Sequence, residues 1–357
     1  MERYRILFVG DLMAYLTTAA RRDALLELGF PVESIDTAPF VRSRSRLTRA
    51  IAYRTLLTPQ TFALNREIVR RAADFRPDVL WLEKATHIFP RTFRRLRRDH
   101  SALFVYHNTD DWKIRGWIHR LHWRFLRRTL AEYDLHITSN LWNVEEFRQA
   151  GFPRVVHMEL AANPAVRDPG TVAEPERRRL GGPVGFIGHW EPVTERRILH
   201  LLRNGVPVKI YGGGWDDAEA AGELAEAAQH RFVMGDEYAR AIVSFDINLG
   251  IVSKWNRNHT ASRTFQIPAL GAFLLHERND LVTRYFEEGV EAEFFDSDDE
   301  LLEKCRHYLA HPEKRRRIAE AGQRRCIESG YFEPDRVREI LPALEEAVRA
   351  RRGEATG

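Results

Sequence analysis

The sequence predicts an α/β protein built from two doubly wound parallel-sheet domains, and three observations lead there. Its 357 residues exceed what one hydrophobic core ordinarily organises, which favours two domains. Short apolar runs that end in glycine or polar residues alternate with helix-length amphipathic segments along the chain. Between the two stretches of alternation, Pro164, Pro169, Gly170, Pro175, Gly181, Gly182 and Pro183 gather in the breaker-rich composition of a linker. With 44% hydrophobic residues the chain can fill two cores, which excludes a disordered protein.

Arg5–Gly10 reads as the first strand, followed by a loop carrying Thr17 and Thr18 and by a helix from Ala19 to Leu28 that closes at Gly29. Val79–Leu82, Leu103–Tyr106 and Leu135–Thr138 repeat the strand pattern, completing a first domain over residues 1–168. After a linker at 169–182, Pro183–Gly188, Val206–Tyr211 and Phe245–Ile251 read as strands, with helices near 194–203, 217–229 and 236–243. The second domain spans 183–333, its tail turning helical at 299–310 and 313–329. A last helix from Pro334, in the segment 334–357, is expected to pack back on the first domain.

The net charge of +4 is too small for a nucleic-acid-binding polycation, and the run Arg91–Arg98 reads as a solvated helix face. Cys305 and Cys326 stand without companions at metal-ligand spacing, so neither a metal site nor a disulfide is expected. The chain starts directly with a strand and has no apolar stretch of about 20 residues, so a cytoplasmic protein is expected. Ile114–Leu130 places Ile114, Trp117, Ile118, Leu121 and Phe125 on one helical face, with Arg115, His119, His122 and Arg127 largely elsewhere. That pattern suits a core-facing helix, or one making peripheral contact with the inner face of an anionic membrane.

In an open parallel sheet, ligands lie beyond the carboxyl ends of the strands, where helix N-termini can hold phosphate. The first domain offers Gly10 and the Thr17–Thr18 loop there; the second offers Gly188, the turn of Gly212, Gly213 and Gly214, and residues 254–266. Lys254 and Arg263 flank an expected helix N-terminus and would balance a pyrophosphate, unless Arg263 simply pairs with a nearby carboxylate. In the run Tyr106–Asp111, His107 or Asp110 would orient or deprotonate an acceptor hydroxyl. The competing reading is a turn that caps the next helix.

Five segments carry a resemblance: Gly188–Arg197, Tyr211–Trp215, Val233–Tyr238, Arg263–Ala269 and Gly271–Arg278. In order and spacing they resemble the C-terminal signature of CgeB-like, spore-maturation-type glycosyltransferases, related to family 4. The likeness is strong over about 183–340 and loose in the first half, where Phe8–Gly10, Asp110–Asp111 and Thr138–Asn140 carry it. It implies the GT-B architecture, with two domains facing across a cleft. The second domain would bind a nucleotide-diphosphate sugar, UDP- or GDP-linked, without metal or cofactor. The first would bind a glycan, lipid-linked or protein acceptor in cell-surface glycan synthesis.

By the same resemblance, Thr260, Ala261, Ser262 and Arg263 would hold the diphosphate, with Gly188, Arg196 and Lys254 completing the donor set. Val233 and Met234 would edge the base, Asn258 would lie near the donor sugar, and Gln266 would face the ribose. Related enzymes carry acidic residues where this chain has Asn258 and Gln266. That departure keeps open a catalytically silent nucleotide-sugar-binding protein, while an epimerase or phosphorylase on the same scaffold is a third reading.

Overall fold

The computed structural model describes residues 3–13, 15–41, 55–113, 117–166 and 168–353, with the side chains of 117–119 left undescribed. The chain divides into two units, Met1–Glu159 with Glu333–Gly357, and Leu160–Phe332.

The first unit is a six-stranded parallel sheet ordered β2-β1-β3-β4-β5-β6. Its strands are β1 (Ile6–Gly10), β2 (Val32–Asp36), β3 (Val79–Glu83), β4 (Leu103–Asn108), β5 (Leu135–Thr138) and β6 (Val155–His157). Every residue of β1 and β4 is buried, as expected of strands covered on both faces. The alternation of side chains sorts them into two cores. Leu7, Val9, Leu80 and Phe104 pack on Leu64 and Ile68 of the Pro59–Phe75 helix. Ile6, Phe8, Trp81 and Val105 pack on Val337, Ile340 and Leu344 of the Glu333–Arg352 helix. The last helix of the chain thus belongs to the first unit.

The second unit is a five-stranded parallel sheet ordered β11-β10-β9-β7-β8. It comprises β7 (Gly182–Ile187), β8 (Val208–Tyr211), β9 (Phe245–Gly250), β10 (Leu274–Glu277) and β11 (Glu293–Phe295). Its core joins Phe186, Ile247, Leu249 and Leu275 to Ile198 and Leu201 on one helix and Leu301 and Cys305 on another. Each sheet reverses its winding direction once, between β1 and β3 and between β7 and β9.

Two expected helices differ. The segment 217–229 holds only short turns at Trp215–Asp217 and Ala221–Leu224. Its end is drawn to the open edge of β8, where Ile210 exchanges hydrogen bonds with Ala227 (2.8 Å) and Gln229 (3.0 Å). The stretch 114–130 is likewise broken, into Trp117–His122 and Arg124–Arg127, with 114–116 outside the described residues. Within it Phe125 packs on Leu56 and Phe89 and Leu126 lies in the core, so this part faces inward. No described helix is long and apolar enough to cross a membrane.

Candidate nucleotide and acceptor sites

At the winding reversal of the second unit, the loops leaving β7 and β9 lie side by side, the position where open α/β sheets receive ligands. Arg263, in the first turn of the Ser262–Ala269 helix, clamps them. It donates to the carbonyls of Ile187 at 3.0 Å and Ile251 at 2.6 Å, with its guanidinium 5.0 Å above the Phe186 ring. Glu191, buried at the end of the β7 loop, accepts from the Ser253 hydroxyl, the Lys254 N–H (2.8 Å) and the Trp255 N–H (3.3 Å).

The Lys254 ammonium reaches Glu277 at the end of β10, which also faces Arg197 at 3.0 Å. Arg196, exposed, pairs with Asp298 at 2.9 Å. Three cations (Lys254, Arg196, Arg197) therefore share two carboxylates (Glu277, Asp298), and Lys254 and Arg196 are the two with exposed side chains. An incoming diphosphate could exchange with Glu277 or Asp298 as their partner.

The glycines expected to form phosphate turns serve close backbone approach. Gly212 sits at φ +134°, and a Cβ there would lie 2.1 Å from the Gly188 carbonyl oxygen. That carbonyl also accepts from Trp215 Nε1 at 3.0 Å, and the Gly213 carbonyl accepts the Trp190 N–H at 3.0 Å. Val233 is buried whereas Met234 is half exposed, beside exposed Phe232 and, further along, Trp255 edge-on to Trp190.

The helix mouth has its own internal wiring. Burial lowers the pKa of His276 to about 4, so it is neutral at pH 7. Its Nδ1–H donates to the Glu277 carbonyl (2.7 Å), and Nε2 accepts from the Thr264 hydroxyl (2.9 Å). The Thr264 oxygen in turn accepts the Ala261 N–H at 2.9 Å. The Ala261 N–H, expected at the diphosphate, is therefore already bonded; the Ser262 and Arg263 N–H groups are those that helix geometry leaves without an intrahelical partner. Thr260 is buried just before them, and half-buried Asn258 closes a turn by donating its N–H to the Ser253 carbonyl at 3.0 Å.

Gln266, expected to face the ribose, has both groups of its amide engaged by the backbone of residues 163–166. It is buried, its Oε1 accepts the Asn163 N–H (2.8 Å) and its Nε2 donates to the Val166 carbonyl (3.1 Å). A buried amide must satisfy both its groups, and the 163–166 segment supplies one donor and one acceptor.

In the first unit the reversal between β1 and β3 opens a cavity of about 350 Å³ lined in part by Asp11, Thr17, Thr18, Lys84, Thr86 and His87. Gly10 matters here because a Cβ would meet Thr18 at 2.7 Å and Glu83 at 3.0 Å. Glu83 ends β3 and is the hub: it accepts from Arg21 Nε (2.9 Å), Trp81 Nε1 (2.9 Å) and His107 Nδ1 (2.8 Å). Burial alone would raise its pKa, but Arg21 and His107 together hold it below the ordinary range. Arg21 also reaches Glu333, at the start of the last helix, at 2.6 Å.

His107 is thereby corrected. Residues 83 and 107 are direct partners in the β3–β4 ladder, so the imidazole lies against Glu83, 1% exposed, and is no part of the cavity lining. Burial, then Arg21, depress its pKa and keep it neutral. Asp110 pairs with Lys84 at 2.8 Å, and Lys84 and the following Ala85 both adopt positive φ, +53° and +39°. Two successive non-glycine residues in that region mark backbone held by its surroundings, as at ligand sites.

Sequence reasoning missed Arg21, Glu83, Lys84, Glu191, Glu277 and Glu333. The one available signal was the charged pair Glu83–Lys84 directly after an apolar strand. Among the described residues no group of three or more His, Cys, Asp or Glu is placed to hold a metal.

Residues 191–342 match the family model described as "Glycosyl transferase-like". No curated protein sequence matches the chain. Among solved structures, sucrose-phosphate synthase from Thermosynechococcus elongatus is similar at TM-score 0.68 and 11% identity, over 98% of this chain and 100% of that one. A glycosyltransferase from Rickettsia africae gives TM-score 0.64 and 10% identity, over 98% and 100%. HepE from Anabaena, solved with UDP and glucose, gives TM-score 0.62 and 16% identity, over 96% and 100%. The fold, two parallel-sheet α/β units, is that of the GT-B glycosyltransferases.

Proposed function

We propose that the chain is a glycosyltransferase that takes a sugar from a nucleoside-diphosphate donor held by its second unit. The observation that carries this reading is the clamp at the β7–β9 reversal, within and beside the segment matched by the family model. Arg263 joins both loops, while Lys254, in the loop after β9, and Arg196, on the helix after β7, offer exposed charge. These groups would neutralise the charge growing on a departing diphosphate without a metal. The first unit supplies the acceptor side, Asp110 and Lys84 orienting the acceptor hydroxyl near the 350 Å³ cavity. CgeB-like membership, a cell-surface glycan acceptor and a cytoplasmic location belong to this proposal, as does a domain division near 168 and 183.

A UDP complex of HepE makes UDP the first nucleotide to try. Calorimetric titration with UDP, GDP and the other nucleoside diphosphates should show one that binds, and its sugar conjugates should then release that nucleotide when an acceptor is present. Failure of every nucleoside diphosphate to bind would end the proposal. A second reading, a nucleotide-sugar-binding protein without turnover, draws on Gln266, whose amide is committed to the 163–166 backbone. Binding with no release under any acceptor would favour it.

A further inference from the structure

A second concavity of the first unit, about 740 Å³, runs between the Pro59–Phe75 and Pro90–Asp99 helices. Arg66, Arg91, Arg95 and Arg98 line it, and no carboxylate is among its lining residues. Asp99, next to Arg98 in the chain, is occupied by Arg98 (2.9 Å) and Arg95 (3.3 Å), and Glu67, next to Arg66, by Arg70 (2.6 Å) and Arg71 (2.9 Å). Arg66 and Arg91 make no ion pair among the described residues. Arg91 is nevertheless held in place, its guanidinium 5.4 Å from the centroids of both Phe62 and Phe89. Phe62 is 37% exposed and packs on Phe89 at 4.9 Å, so an apolar ring forms part of the wall.

Asp99 offsets one of the four charges, and the net positive charge left in the hollow favours an anion. Repeated acid groups beside an apolar sugar face would satisfy both the arginines and Phe62. A flat bilayer surface would not fill a groove of this shape. The groove also adjoins the acceptor cavity: Leu64 and Ile88 line the cavity, and their neighbours Asn65 and Phe89 line the groove. The seam between them is tied by Asn65, which donates to the His87 carbonyl (2.9 Å) and accepts the Phe89 N–H (2.8 Å).

We propose that this groove binds the acidic part of the acceptor, a saccharide carrying repeated carboxylate or phosphate groups. Arg66 and Arg91 meet its acid groups, and Phe62 supports a sugar ring. The inference rests on the transferase reading for the reacting end of that acceptor.

The test is calorimetry of the full chain with hexagalacturonate, with neutral maltohexaose as control, on wild type, Arg66→Ala, Arg91→Ala and the double variant. Both side chains are exposed, so the variants should fold. Hexagalacturonate should bind and maltohexaose should not, each substitution weakening the acid saccharide about tenfold and the pair abolishing it. UDP affinity should be the same in all four proteins. No hexagalacturonate binding to wild type, or equal binding by all four, overturns the proposal. So does Arg66- and Arg91-dependent flotation on phosphatidylglycerol-containing vesicles that hexagalacturonate fails to compete, which would assign the arginines to lipid. Failure of wild type to bind any nucleoside diphosphate would instead sink the transferase reading, independently of the groove.

Discussion

Arg21→Met removes the one cation that links two buried carboxylates. Arg21 is 2% exposed and Glu333 0% exposed, and the guanidinium holds Glu333 at 2.6 Å and Glu83 at 2.9 Å. Glu83 would keep Trp81 and His107, whereas Glu333 Oε1 has no hydrogen-bond partner among the described residues. Leaving a buried charge uncompensated costs about 3–5 kcal/mol, roughly 6–20 °C in Tm for a unit of this size.

The pH dependence has a definite sign. Burial raises the Glu333 pKa from 4.5 to about 7 despite Arg21, so its contribution is fully present below pH 4.5 and is lost as pH rises through about 7. Without Arg21 the carboxyl must stay protonated to higher pH, so the penalty of the substitution should grow by about 1–2 kcal/mol between pH 6 and pH 8. Guanidinium chloride unfolding at both pH values measures it. Adding Glu333→Gln removes the stranded charge and should recover about 1–3 kcal/mol. A penalty under about 1 kcal/mol, or one that does not change with pH, would mean that water reaches these carboxylates and that the cluster is not desolvated.

Three further outcomes follow from the second unit. Arg263→Ala should weaken a nucleoside diphosphate about tenfold or more while affecting the nucleoside less, because a positive charge beside the proposed phosphate site is lost; calorimetry with UDP and uridine reads the ratio, and equal losses would leave Arg263 only its tie between the two loops. Gly212→Ala forces a Cβ to 2.1 Å from the Gly188 carbonyl at φ +134°, so the two loops must part; stability should fall by about 2 kcal/mol and donor affinity with it, in one thermal-shift series with and without UDP. Gln266→Glu replaces the amide that donates to Val166 at 3.1 Å with an oxygen facing an oxygen, which should cost about 1–3 kcal/mol of stability; an unchanged melting temperature would show that the side chain is free to turn toward a ligand.

What was legible in the sequence follows the range of the forces involved. Four strands of the first sheet were legible because each is a continuous apolar run, whereas the largely half-buried β2 (Val32–Asp36) and β6 (Val155–His157) carry no such run and were missed. The clamp at Arg263 was legible as a cation at a helix mouth, although its partners turned out to be carbonyls 76 and 12 residues away rather than a carboxylate. Contacts set by register or by a distant backbone were not. His107 reads as a polar residue at a strand end, yet the β3–β4 ladder places it against Glu83, and only the pairing of strands can say so.

Gln266 shows the same limit from the other side. Its neighbours in sequence place it at the start of a phosphate-side helix, but its amide is decided by Asn163 and Val166, about 100 residues earlier. A neutral amide there is what the local hydrogen-bonding demands: one backbone donor and one backbone acceptor must both be met, and a carboxylate can meet only the first. The departure from an acidic residue at this position is therefore accounted for by the packing of Gln266 against the 163–166 backbone.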